Sequence, residues 1–222
     1  VGSQALLCIK IVLHIQLDMY NQRLKDLLNK GSVNHKKETV KCETLKDVHI
    51  YCKLESLPGQ VSGSLIEDYI INNCNHLTKV KSSECKGDCR LNDRYNVEIK
   101  ASLGGQTHQK FNYVQIRLGH NIDYYLFTAY YISNENVNSD GELYIFLIKK
   151  ESMRNIIVDY GQYAHGTVSE NGPICTENIK EDKEYALRVS YGSSLWKKLC
   201  EYRLTNSDFP NEFCRAVSSL NE

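Results

Sequence analysis

Cysteine is the residue type with the most chemistry on offer in this chain, with nine thiols at Cys8, Cys42, Cys52, Cys74, Cys85, Cys89, Cys175, Cys200 and Cys214. Thiols at such density cross-link, bind metal, or sit buried as small apolar groups. A zinc site is built from doublets spaced by two to four residues, and only Cys85-x3-Cys89 has that spacing, with no second doublet. Cys42-x9-Cys52 followed by Cys74-x10-Cys85 instead groups four thiols into two local pairs. The number of cysteines suits an oxidising compartment, and an odd total leaves at least one thiol single or bridging to another chain. The lack of any Asn-x-Ser/Thr sequon pulls mildly the other way.

The seven histidines show no HExxH or paired spacing, and no Gly-x-Ser-x-Gly elbow, Walker loop or dinucleotide fingerprint is present. The expectation is a protein that performs no chemistry and needs neither cofactor nor metal. Twenty-seven basic residues balance twenty-seven acidic ones, so the chain lacks the positive excess that neutralising many phosphates requires, and nucleic acid is not an expected partner. The longest apolar stretch, residues 5–17, is broken by Lys10, His14 and Gln16 and is too short to span a membrane. It has no basic flank or small-residue cleavage site, so it does not read as a signal peptide.

The elements that must position these groups read mostly as strands. Alternation of apolar and polar residues runs through 9–17, 95–101 and 185–191. Apolar runs at 48–54, 65–71, 113–118, 124–132, 143–148, 156–160 and 199–204 are bounded by turn residues and read the same way, with one short helix over 23–30. Ten short strands without a long amphipathic helix predict an all-β class. Tyr outnumbers Phe by 15 to 5, as suits half-wet sheets and binding surfaces. Tyr95 and Tyr185 each follow a charged turn and open an alternating strand, the pattern of a tyrosine corner, and they lie one sandwich domain apart. That recurrence predicts two tandem β-sandwiches over 36–119 and 120–205, meeting at Gly119, His120 and Asn121, with an extension over 1–35 and a tail over 206–222.

At these residues the chain resembles a pair of fibronectin type III domains. Its cysteines are similar to those of the class I cytokine receptor homology module, C-x9-10-C-x-W then C-x10-15-C, with Leu54 in place of Trp. Divergent receptors of the Domeless type tolerate such losses. The resemblance implies disulfides joining Cys42 to Cys52 and Cys74 to Cys85, and Cys175 to Cys200 is expected as a third because it would tie the stretch before the strand at 185–191 to the strand after it. The Trp-Ser-x-Trp-Ser motif is reduced to Tyr191-Gly192-Ser193-Ser194-Leu195-Trp196. The implied function is the extracellular, ligand-binding region of a cell-surface receptor, which grips a secreted cytokine-like protein at the elbow between domains, with room for a second receptor chain.

Carried onto this sequence, the ligand-binding loops hold Lys86, Gly87, Asp88, Arg90 and Asp93, then Ser133, Asn134, Glu135 and Asn136, then Ser194, Leu195 and Trp196. Trp196 either anchors the ligand or packs against the neighbouring strand. An adhesion or receptor-phosphatase ectodomain is the alternative built from the same domains. Lys86-Gly87-Asp88 also resembles the Arg-Gly-Asp tripeptide read by integrins, although a turn rich in glycine and charge is the preferred reading of it.

Overall fold

The computed structural model describes residues 42–104, 110–132, 141–164, 168–204 and 211–218. The expectations for residues 1–35, and for Ser133, Asn134, Glu135 and Asn136, lie outside the described residues. Helices α1 (Leu45–Leu54) and α2 (Gly59–Asn72) come first, then strands β1 (Leu77–Lys79), β2 (Cys89–Leu91), β3 (Tyr95–Leu103), β4 (Lys110–Arg117), β5 (Tyr124–Tyr131) and β6 (Glu142–Lys149). Helix α3 (Lys150–Tyr160), strand β7 (Gln162–Tyr163), helix α4 (Val168–Asn171), strand β8 (Glu184–Ser190), helix α5 (Ser194–Cys200), strand β9 (Arg203–Leu204) and helix α6 (Asn211–Ser218) follow.

The fold of the described residues is therefore mixed helix and strand, and the expected pair of all-β sandwiches is overturned. Three of the expected strands are helices, for reasons that lie in the local sequence. Thr44 caps α1 through a reciprocal box, its hydroxyl accepting the Asp47 N–H at 3.1 Å while the Asp47 carboxylate accepts the Thr44 N–H at 3.2 Å. Val48, Ile50 and Cys52 are all fully buried because both sides of α1 are covered, and a helix buried all round loses its 3.6-residue periodicity. Helix α2 starts behind Pro58 and buries Ser62, Leu65, Ile66, Tyr69 and Ile70, a helical face read as a strand. Helix α3 buries Met153, Ile156 and Ile157 in the same way.

The strands form a six-stranded sheet of order β1-β2-β3-β5-β6-β9 and a three-stranded sheet of order β4-β8-β7. Strands β3 and β5 pair in parallel, from Val97 opposite Tyr124 to Leu103 opposite Tyr130. A parallel pair needs a crossover of a dozen residues or more, and β4 provides it by leaving for the second sheet. Since β3 and β5 lie on either side of the expected boundary at Gly119 to Asn121, that boundary does not separate two sandwiches. Strand β5 is buried at every position. Its Leu126 and Tyr130 join the core under α1 and α2, while Tyr125, Phe127, Ala129 and Tyr131 join a second core under β4, β8, α3 and α5. Three layers result, with the large sheet in the middle. Phe213 of α6, in the expected tail, is buried in the first core.

None of the seven described cysteines is in a disulfide, so the pairings Cys42 to Cys52, Cys74 to Cys85 and Cys175 to Cys200 are overturned. The spacings presume neighbouring strands, whereas Cys52 lies inside a helix and Cys85 ends a 3-10 turn (Ser82–Glu84) with its backbone left-handed at φ +51°. Cys74 is buried while Cys85 is exposed. One expected detail does occur: the Tyr185 hydroxyl donates to the Lys180 carbonyl at 2.9 Å and accepts the Lys180 N–H at 2.8 Å, a tyrosine-corner bond in a different fold.

Candidate functional site

The turn formed by Lys86, Gly87 and Asp88 sets its glycine and its carboxylate against β3. Gly87 has φ +77°, and a Cβ there would stand 2.5 Å from the Val97 carbonyl oxygen, so only glycine permits this approach to β3. The Asp88 N–H donates to that carbonyl at 2.9 Å, and the Asp88 carboxylate accepts the Ile99 N–H at 2.6 Å. A carboxylate held in this way is not a projecting loop-tip ligand of the integrin-binding kind. Lys86 pairs with Glu84 at 3.1 Å on the surface. Arg90 is exposed on β2 opposite Asn96, and Asp93 sits in the left-handed turn to β3 within 3.5 Å of the Thr78 hydroxyl.

Ser194, Leu195 and Trp196 form the first turn of α5, capped by the Ser193 hydroxyl. Leu195 and Trp196 are buried, and Trp196 stacks on Phe111 at 5.2 Å and meets the edges of Tyr144 and Phe146. Trp196 is thus a core residue of the second layer. Among the described residues expected at an elbow, Asp88 lines a cleft, while Leu195 and Trp196 are buried in the second core.

That cleft is a groove of about 670 Å³ between α2, the outer edge of β3 and β4. Gly59, Gly63 and Glu67 lie four residues apart along α2 and face it with Gln60 and Ser64. A Cβ at Gly59 or Gly63 would meet nothing within 4 Å, so these glycines open the groove. Their spacing with Glu67 is the sequence signal that was missed, since both glycines read as turn residues. Ile99, Lys100 and Ala101 of β3 form the adjoining wall, and Asn112, Tyr113, Val114 and Gln115 of β4 the opposite one. The β4 wall is bulged, with the register shifting between Tyr113 and Ile116 and Gln115 left-handed at φ +56°, and Val114 is 52% exposed. The Asn112 N–H donates to the Ser102 hydroxyl at 2.9 Å and ties the two strands together.

Two carboxylates in the groove hold their protons unusually tightly. Burial raises Glu67 to about 7, with the nearby Asp88 charge adding to the effect. Asp88 rises to about 6, through burial and then the Glu98 charge, despite its bond from Ile99. The local cations are largely matched already: Lys100 pairs with Glu98 at 2.5 Å, and Lys79 lies 2.6 Å from Asp68 and 3.8 Å from Glu67. Among the described residues there is no cluster of three metal-ligating side chains.

No protein-family model matches the chain, and no curated protein sequence matches it.

Proposed function

We propose that this chain is a protein-recognition module whose ligand, a segment of a secreted protein, lies in the groove between α2 and β4. The groove takes the place of the elbow that the receptor resemblance implies. The observation that carries the reading is the helix face of Gly59 and Gly63, where Gly63, inside the helix, lowers its stability by about 0.5–1 kcal/mol relative to alanine and no neighbouring atom requires either glycine. That cost leaves an open groove next to Glu67 and Asp88, two carboxyls whose proton affinity burial raises. The groove volume falls in the range of pockets that enclose ligands, about 300–1,000 Å³.

Selection of phage-displayed random peptides on the protein tests this. The wild type is expected to enrich a consensus, and Gly63→Leu, which fills the groove from a position with open space, is expected to lose it. A consensus that Gly63→Leu enriches equally would place the ligand elsewhere and refute the reading.

A further inference from the structure

Strand β3 has two neighbours over only part of its length. Its pairing with β2 covers Tyr95 to Val97, whereas its pairing with β5 continues to Leu103. Among the described residues, β3 beyond Val97 is paired on its β5 side alone. Asp88 marks the point where the β2 ladder ends. Its N–H takes the Val97 carbonyl and its carboxylate takes the Ile99 N–H, so one residue satisfies two outward groups of the edge. Backbone direction alternates along a strand, so Ile99 and Ala101 present their groups to the same side as Val97. The Ile99 carbonyl and the Ala101 N–H and carbonyl therefore face the groove, and both residues line it.

The geometry points to an extended, basic peptide segment as the occupant, added as a strand to β3 alongside Ile99 and Ala101, in line with β2, with a lysine or arginine set against Glu67 and Asp88. This deepens the recognition reading above and rests on it. Strand addition is a general way of binding peptides, in which main-chain bonds supply affinity and flanking pockets supply selectivity. An added strand here would have side chains on one face against the glycine stripe of α2 and on the other against Val114 and its neighbours on β4. Charge decides which strand is accepted. Four carboxylates, Glu67, Asp68, Asp88 and Glu98, share this corner with two lysines, Lys79 and Lys100, so an incoming cation meets unmatched negative charge. An acidic segment is repelled, and an apolar one removes water from the carboxylates without supplying a matching charge.

The test is fluorescence anisotropy with a labelled nonapeptide of alternating threonine and valine carrying one central lysine. Norleucine and glutamate versions serve as its comparisons, and a version N-methylated at alternate amides cannot form the ladder. The lysine peptide is expected to bind at least tenfold more tightly than the norleucine one, and the N-methylated peptide at least tenfold more weakly. Glu67→Gln with Asp88→Asn should bring lysine and norleucine to equal affinity. Gly63→Leu should abolish all binding, with Gly59→Leu as a second plug and circular dichroism confirming that both variants fold. Equal binding of lysine and norleucine by the wild type refutes the charge selection, and indifference to N-methylation refutes the added strand. If those failures occur while both plugs still block binding, the recognition reading stands without this refinement. Peptide binding that neither plug reduces overturns both.

Discussion

Replacing Glu67 by glutamine removes one titrating group from the groove and leaves its shape nearly unchanged, so the expected effect is a function of pH with a definite sign. The Glu67 carboxyl lies at about 7 in the folded protein against an ordinary 4.5, a rise of 7 − 4.5 = 2.5. At about 1.36 kcal/mol per pH unit this amounts to about 3.4 kcal/mol without screening. The side chain keeps 25% of its exposure, and solvent screening reduces the effect to about 1–2 kcal/mol. Because the folded value is the higher one, the folded state holds the proton more tightly. The stabilisation is complete below pH 4.5 and is lost as pH rises through 7.

Glutamine cannot lose a proton, so the stability difference between Glu67→Gln and wild type should be constant below pH 4.5 and shift by about 1–2 kcal/mol in favour of the variant by pH 8. His49 has the opposite dependence. It is fully buried, with Nδ1 near the Leu45 carbonyl at 2.8 Å and Nε2 near the Thr128 hydroxyl at 3.0 Å, and burial lowers it to about 4 from 6.5. Its contribution is complete above pH 6.5 and is lost as pH falls through 4, but both proteins share it and it cancels in the difference. Urea unfolding of both proteins at half-unit steps from pH 4 to 8 measures the curve. A flat difference, or one growing towards acid, would refute the burial argument for Glu67.

Gly87→Ala should cost at least about 1–3 kcal/mol, because the residue is left-handed and its Cβ would overlap the Val97 carbonyl, whereas Gly63→Ala should stabilise by about 0.5–1 kcal/mol; paired urea melts compare them. Trp196→Ala should lower stability by about 3–5 kcal/mol, as expected of a buried aromatic, and leave the affinity of the lysine nonapeptide unchanged in buffer where the variant is folded. Among the seven cysteines described, Cys85, which is exposed, should react first with a thiol reagent, while Cys52 and Cys89, buried and shifted upwards, should react only on unfolding; timed mass spectrometry resolves the order.

The central strands were legible because their patterns are local: β3, β5, β6 and β8 fall where alternation or apolar runs place them. The helices were not, and α1 shows why. Its Val48, Ile50 and Cys52 satisfy a period of two, and its helical face of Leu45, Val48, His49 and Cys52 is equally present, but burial on both sides removes the polar face that would choose between them. Thr44-x2-Asp47 was the deciding local cue, a capping box with Asp in place of the usual Glu. The layer arrangement depends on β4 leaving one sheet for another, and no local pattern encodes that. At the site, Asp88 was singled out for the wrong setting, as part of an exposed tripeptide. Glu67 was missed because its partners, Gly59 and Gly63, carry meaning only once α2 is known to be a helix.

An open strand edge invites pairing between copies, and most folds cover it, shorten it or charge it. Here the charge does more than deter. Two copies meeting edge to edge at Ile99 and Ala101 would bring Glu67 and Asp88 of one against the same pair of the other, and like charges drawn out of water repel strongly. A segment with a cation at that point meets the opposite field, and its charge offsets the desolvation that raises both carboxylates. On the proposed reading, the acidic pair would disfavour edge pairing with another copy by the same interaction that favours a basic segment. Raising the pH from 5 to 8 strengthens both effects as Glu67 and Asp88 lose their protons, so peptide affinity and resistance to self-association should rise together.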